Sequence, residues 1–415
     1  MKWDALVAKL YGLRRFGIDP GLGPMQVALK AEGHPDRCYG VITVAGTNGK
    51  GTVASMVAAI LQAHGLRVGL YTSPHLIDVT ERLRVDGVPL SRREVGPVLE
   101  RLLEQHGRSE DESGAVTGLT FFELTTLAAA VLFNQKRVDV AVFEVGLGGR
   151  LDAVNALDPV VTAVTTIGFD HTQHLGTEIG DIAREKAGIF REDIPAVIGA
   201  QEVVGARDAL VEAAKAVGTP VDEVSDGGEN VSDESGKIQT RHRRTAMGVA
   251  RRYLGDRWRR DAVDTGLACW RWPGRFDQVS LDDGARRLLL DAAHNPAGVA
   301  ALRKAWSHRA DEVSAVLWTA MKDKDPGQTK DFLSEVGAPV WGAMVENERV
   351  RSEVELRNHV PPALWQGARP TAEAFEEAMS SSKGTILAFG SIFLLGEVLE
   401  ACGMRAWELR TYDAD

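Results

Sequence analysis

The chain has 415 residues, 44% of them hydrophobic and 26% charged, which suits a soluble globular enzyme of two domains, or three small ones, with ample core. A formal net charge of −10 argues against nucleic acid as a main partner, because no dense basic face is implied. Three cysteines, Cys38, Cys269 and Cys402, lie far apart without metal-ligand spacing and read as reduced thiols of a cytoplasmic protein.

The amino terminus, MKWDALVAKLYGLRRFG, has an amphipathic helical pattern with charges of both signs and lacks the apolar core of a secretion signal. Beyond it, strands are expected at 41–45, 67–72, 138–144, 160–167 and 195–199. Helices fit at 52–64, 92–106, 121–134, 178–190 and 204–217. This alternation predicts a mostly parallel α/β sheet covered on both faces. The longest apolar runs, such as LAAAVLF at 127–133, fall far short of a membrane span. From about 221 to 265 the pattern breaks into a polar stretch and then an Arg-rich helix. After WRWPGRF the alternation restarts, with strands near 286–291, 312–318, 338–344 and 384–389. A domain boundary near 277 follows. Residues 1–277 form a P-loop ATPase unit, and residues 278–415 a smaller Rossmann-like α/β unit without a P-loop of its own.

The first strand and helix enclose VAGTNGKGT, which departs from the usual Walker A spacing because Gly46 and Gly49 are close together and Gly51 separates Lys50 from Thr52. A Gly-rich turn between strand and helix still points backbone N–H groups and the positive helix end at one spot, which is an anion site. Lys50 would neutralise β/γ oxygens of ATP, and the Thr52 hydroxyl would lie near its magnesium ion.

VDVAVFEV delivers Glu144 at the end of a strand, at the sheet edge where open α/β folds bind ligands and where a nucleotide's magnesium needs a carboxylate. In TAVTTIGFDHTQHLG an apolar strand ends in Asp170 and His171, a second candidate for the metal. Ser73 falls on a turn after a strand, with Arg82 downstream. Lys186 in DIAREKAGIF reads on residue type alone as a surface lysine pairing with Glu185 or Glu178. Asp291 and His294 end a buried strand, just before a helix started by Pro296. Arg275 falls at the domain boundary, where it would clamp phosphate.

Taken in order, VAGTNGKGT, YTSPHL, TFFELTTLAAAVLF, EVGLGGRLDAVN, FDHTQHLG, REKAGIF, WPGRF, DAAHNP, MKDKD and FGSIFLLGEV resemble folylpolyglutamate synthase and the bifunctional dihydrofolate synthase, of the Mur ligase superfamily. The resemblance covers roughly residues 5–200 and 270–400. It implies an ATP-dependent ligase that joins L-glutamate to dihydropteroate, or to the γ-carboxylate of a reduced folate, through an acyl phosphate; the alternatives are another Mur-type amino-acid ligase and a degenerate, non-catalytic nucleotide-binding paralogue. It also implies a monomer acting on small molecules, with neither nucleic acid nor membrane as partner. By position it gives the phosphates Thr47, Asn48, Gly49, Lys50, Gly51 and Thr52, and gives the nucleotide Arg275 and Asp291. Ser73, Glu144 and His171 match magnesium positions, and Lys186 a lysine that is carbamylated. Arg82, His294 and Ser391 fall where the glutamate end is handled. Thr120, Phe121, Phe122 and Glu123, with Leu151, Asp152 and Ala153, match pterin contacts, and GIDPGLGPM around Leu22 resembles a pterin loop. One region departs from the pattern. Thr245 stands where the family has an adenine-contacting Asn, and a hydroxyl lacks the amide's donor–acceptor pair.

Overall fold

The computed structural model describes residues 1–13, 21–110, 116–225, 234–281, 286–306 and 313–413. Two sheets organise them. The first holds β1 (Gly40–Ala45), β2 (Val68–Tyr71), β3 (Leu83–Val85), β4 (Val88–Pro89), β5 (Val140–Glu144), β6 (Val161–Val164), β7 (Ala196–Ile198) and β8 (Val221–Glu223). Their spatial order is β8-β7-β6-β1-β5-β2-β3-β4, parallel except for the β2-β3-β4 edge. The second holds β9 (Arg275–Leu281), β10 (Arg286–Asp291), β11 (Val313–Trp318), β12 (Val340–Met344), β13 (Trp365–Pro370) and β14 (Thr385–Phe389). Its order is β9-β10-β14-β11-β12-β13, with only β9 antiparallel to its neighbour.

The central strands are buried and mostly apolar along their length because both faces are covered. In β1, Val41 and Ala45 face one core layer, with Phe143 of β5 and the helix Phe121–Gln135. Ile42 and Val44 face the other, with Val53 and Val57 of the helix Lys50–Ala63. The period-2 pleat separates the two layers. The stretch 221–265, where the sequence pattern breaks, contributes to this first unit. It supplies edge strand β8 and the helix Glu234–Leu254, whose Ala246, Val249 and Ala250 pack in the layer with the P-loop helix. Its arginines lie along a helix whose opposite face is apolar.

One expected strand is shorter than its apolar run suggests. β6 stops at Val164, so Asp170 and His171 lie on the following loop and not at the strand end. The reason is local. The Thr165 and Thr166 hydroxyls donate to the Asn48 carbonyl at 2.7 and 3.2 Å, and Thr47 N donates to Thr166 O at 2.8 Å. The chain leaves the sheet ladder to brace the phosphate loop. Of GIDPGLGPM, residues 17–20 lie outside the described residues, while Pro24 stands in the first turn of the helix Gly23–Ala31 and Leu22 precedes it. Among the described residues, no helix is long and apolar enough to cross a membrane.

Phe143 sits beside the site's Glu144, fully buried and in ring contact with Tyr71 and Phe133 at 5.8 and 5.6 Å between centroids. Phe143→Ala should therefore cost about 3–5 kcal/mol of stability. Denaturant unfolding of the variant checks this, and a change below about 1 kcal/mol would mean that the core closes over the gap.

Candidate active site

The phosphate loop follows β1, and its shape depends on two glycines. Gly46 has φ 145°, and a Cβ there would meet Thr165 Oγ1 at 1.9 Å. Gly49 has φ 79° and lies under His242, whose Nε2 would be 2.3 Å from an added Cβ. Both positions combine a glycine backbone with the absence of room for a side chain. Thr47 is held by Gly168 in both directions, its hydroxyl donating to Gly168 O (3.1 Å) and accepting from Gly168 N (3.0 Å). Gly49 precedes the helix Lys50–Ala63, so Lys50, Gly51 and Thr52 form its first turn, where backbone N–H groups are free for an anion.

Lys50 bends back over the loop, with its ammonium donating to Thr47 O at 3.2 Å. Burial pulls its pKa down, while Glu144 and then Asp170 and Asp152 favour the charged form against Arg275. Glu144 ends β5 and is buried, and one of its oxygens accepts from Ser73 N at 2.8 Å. Burial pushes its carboxyl up, against the pull of Lys50. Neither group is comfortable without a charged ligand, and an anion with its cation would complete both.

His171 caps a short helix in a left-handed conformation, beside Asp170. Burial pulls its pKa below the usual value, which leaves a neutral imidazole able to donate a lone pair. Among the described residues, no trio of His, Cys, Asp or Glu is gathered closely enough to hold a metal. A divalent ion would therefore take much of its oxygen shell from outside the protein. One carboxylate, a hydroxyl and an imidazole beside a phosphate loop fit a magnesium ion that arrives with nucleotide phosphates, and do not fit a resident metal.

Lys186 is a correction to the residue-type expectation. It is only 4% exposed, and Glu185 turns away to Arg150 at 2.9 Å. Burial, then the neighbouring Lys50, brings its pKa down to about 7. The helical pattern of DIAREKA had the signal, since Ile182, Ala183 and Lys186 share one buried face.

The second unit reaches this site at several points. The β10 end places Asp291, whose two oxygens accept from Phe276 N (2.9 Å) and Ala293 N (2.8 Å), and whose carboxyl is raised by burial. His294 follows, hydrogen-bonded through Nδ1 to Ala292 O at 2.7 Å and pulled down to about 4 by burial, so its Nε2 is left as an acceptor. Arg275 opens β9 and acts electrostatically on Lys50, Glu144, Asp291 and His294. Ser391 lies past the end of β14, the strand paired with β10, but its hydroxyl caps its own helix by accepting from Phe393 N at 3.2 Å. Sequence reasoning attached no role to two further groups. Lys324 of MKDKD pairs with Asp170 at 3.0 Å, and Asn295 of DAAHNP donates to Asp170 at 3.4 Å. Burial pushes the Asp170 carboxyl up, but His171 and Lys324 outweigh it and hold it below the usual range.

Beside the phosphate loop lies a cavity of about 540 Å³. Its lining includes Thr120, Phe121, Phe122 and Glu123 on one side and Leu151, Asp152 and Ala153 on the other, with Ser73 and Arg82 at one end. Thr120 and Glu123 form a reciprocal helix cap, with Thr120 N donating to Glu123 Oε2 at 2.8 Å, so they shape the wall through the backbone. Asp152 accepts from Gly146, Leu147 and Val154 N at 2.9–3.0 Å, yet burial still raises it to about 6. Thr245 is buried, with its hydroxyl returned to Arg241 O at 2.9 Å, and His242 is the side chain that faces the phosphate loop.

Comparison with known proteins matches residues 44–249 to the Mur ligase middle domain. The chain is 34% identical over 388 residues to the Escherichia coli dihydrofolate synthase/folylpolyglutamate synthase, covering 88% of this chain and 87% of that protein. It is 33% identical to a Haloferax volcanii protein named "Probable bifunctional folylpolyglutamate synthase/dihydropteroate synthase", covering 96% of this chain but only 50% of that protein's length. Among solved structures, the Yersinia pestis bifunctional folylpolyglutamate synthase/dihydrofolate synthase complexed with AMPPNP and Mn ion superposes with a TM-score of 0.79 at 30% identity, over 97% of this chain and 98% of that one.

Lys50→Ala should leave the protein folded, because the side chain extends along the loop and takes no part in either core layer, and should cut ATP-dependent turnover on the order of 100-fold or more. Circular dichroism and phosphate release at saturating ATP check both halves. Wild-type turnover by a folded variant would remove Lys50 from the site.

Proposed function

The chain belongs to the folylpolyglutamate synthase/dihydrofolate synthase family of Mur-type ligases, and we propose that it joins L-glutamate to dihydropteroate and to the γ-carboxylate of reduced folates at an ATP site. One observation carries this reading. Glu144 links the apolar cavity to the phosphate loop, because Ser73 lines the cavity and donates its backbone N–H to Glu144, whose carboxylate would lie 3.2 Å from a Cβ on Gly51. A carboxylate held at that end of the cavity is within reach of a bound nucleotide's terminal phosphate.

In the proposed reaction a carboxylate oxygen attacks the γ-phosphorus of ATP, and the bond to the ADP oxygen breaks. The glutamate amine then attacks the acyl carbon, loses a proton and expels inorganic phosphate. Lys50 and the backbone N–H groups of Thr47 to Thr52 hold the phosphates, and Arg275 adds positive charge from the second unit. Magnesium, when bound, supplies charge neutralisation on the phosphate oxygens, and Glu144, the Ser73 hydroxyl and His171 would hold it. Asp291 shapes the nucleotide side of the second unit, while Arg82, His294 and Ser391 receive the glutamate end. Neutral His294, with Nε2 free as acceptor, can take a hydrogen bond from the incoming amine. Phe122 forms an apolar wall for the pterin and Asp152 a polar anchor at its edge. The protein acts as a cytoplasmic monomer on small molecules. The test supplies ATP, magnesium and glutamate with dihydropteroate and, separately, tetrahydrofolate. Product mass and phosphate release should respond to both acceptors. Response to tetrahydrofolate alone restricts the enzyme to polyglutamylation, and phosphate release independent of either acceptor contradicts the ligase reading.

Lys186 works in this proposal as a carbamate. With its pKa near 7, about half of the amine is neutral at neutral pH, and that form adds carbon dioxide and loses a proton to give an anionic oxygen ligand suited to a hard cation. Carbon dioxide capture should therefore rise between about pH 6 and 8 and then level off, whereas an ordinary lysine near pKa 10.4 would continue to rise with pH. Peptide mass under bicarbonate reads the added carbon dioxide. Lys186→Ala should be nearly inactive and partly rescued by a small added carboxylate, and an active Ala variant needing no rescue would rule out the carbamate.

A further inference from the structure

We propose that His75 is a positioning residue that fixes the guanidinium of Arg82 to receive a substrate carboxylate, an inference that rests on the ligase reading above. Arg82 is 5% exposed and lines the cavity beside Ser73 and Pro74. Its Nε donates to His75 Nδ1 at 2.9 Å, and its guanidinium lies 5.0 Å from the centre of the Phe121 ring. Its two terminal nitrogens make no hydrogen bond among the described residues. A buried guanidinium with its side edge bound and its end fork open is arranged for an anion with two oxygens in one plane.

The histidine's state follows from its partners. Arg82 can only donate, so Nδ1 must accept, and the ring proton sits on Nε2. Nε2 lies 2.9 Å from the Tyr11 hydroxyl, which therefore accepts. The two rings are nearly parallel, with centroids 6.4 Å apart, and Tyr11 also touches Phe121 at 5.5 Å. The helix Trp3–Gly12 thus fixes one edge of the imidazole and Arg82 the other.

Local backbone brings His75 and Arg82 together. The buried Glu81 carboxylate accepts from Leu76, Ile77 and Asp78 N at 2.9, 2.6 and 2.7 Å, and Asp78 accepts from Thr80 N at 2.9 Å. These bonds fold residues 76–81 into a tight arc that turns positions 75 and 82 toward each other. With Arg82 at the glutamate end, the carboxylate expected there is one of L-glutamate's, and KM values separate it from that of the pteroyl acceptor.

Asparagine and glutamine divide the histidine's two functions. In His75→Asn the amide oxygen sits near the Nδ1 position and keeps the acceptor for Arg82. In His75→Gln the amide reaches toward Tyr11 and loses it. His75→Gln should raise KM for one carboxylate substrate by about tenfold, as expected for a lost hydrogen bond to a charged group, with KM for ATP unchanged. His75→Asn should stay within about threefold of wild type. Thermal melting establishes folding. If His75→Gln does not fold, Tyr11→Phe decides, and should raise the same KM by about two- to threefold. A rise in the dihydropteroate KM assigns Arg82 to the acceptor, and a rise in the glutamate KM assigns it to the amino acid. Equal KM values in wild type and His75→Gln, or equal damage to all substrates in both variants, would overturn the proposal. Failure of wild type to turn over with any pteroate or folate contradicts the ligase reading instead.

Discussion

The site depends on holding one half-buried ammonium, Lys50, over its own loop. A lysine folded back on its own loop, with burial working against its charge, is stable only where carboxylates face it. Glu144 does so from the neighbouring strand, and its own burial raises its pKa in turn. The pair therefore constrains the sheet order. β1 must carry the loop and β5 must lie beside it, which is the register Val44 opposite Glu144. Once the two strands are adjacent, Ser73 at the end of β2 falls within reach of Glu144, and the cavity opens on the same edge. The same positive charge also acts on Lys186, where it adds to burial in favouring the neutral amine. Anion holding and lysine nucleophilicity thus have a common electrostatic origin.

The second sheet contributes through its own carboxyl edge. Parallel strands β10 and β14 end in Asp291 and Phe389 side by side, which puts Asp291, His294 and Ser391 on one rim. That rim meets the first unit at Asp170, where Lys324 and Asn295 converge. Asp170 neighbours His171, so a charge bridge between the units ends one residue from a proposed metal position. A reactive acyl phosphate needs exclusion of water, and elements from both units closing on one loop provide a physical means for it.

Much of this was legible in the chain because the periodic signals were strong. The P-loop strand and helix, the helix over 121–134 and the strand at 286–291 combine long apolar runs with clear punctuation, and each lies within a residue or two of its expected bounds. The strands at 275–281 and 365–370 were not expected. Both are sheet edges without a buried residue, the first carrying Arg, Asp and Gln and the second Gln, Arg and Pro, so their burial signal is weak. IGF extends the apolar run and so carries the expected strand to 167, next to Asp170 and His171, whereas threonine hydroxyl bonds to Asn48 take the backbone out of the sheet after Val164, three residues earlier. Such side-chain competition with the ladder has no periodic signature.

Residue type alone was least informative where a polar side chain is buried through long-range contacts. Lys186 reads as a surface charge until its helix is docked, because the acids near it in sequence are not the groups that surround it in space. Thr245 shows the converse. Its position matches a base-contacting site in the family pattern, yet a short β-branched hydroxyl in a helix finds the carbonyl four residues back, and here it bonds Arg241 O. The polar group left facing Gly49 on that helix is the imidazole one turn earlier, His242, which burial pulls down to about 4 and keeps uncharged against the phosphate loop. A neutral ring there avoids adding a third positive charge beside the loop to those of half-buried Lys50 and exposed Arg275, and so belongs to the same electrostatic balance that places Glu144 opposite the loop.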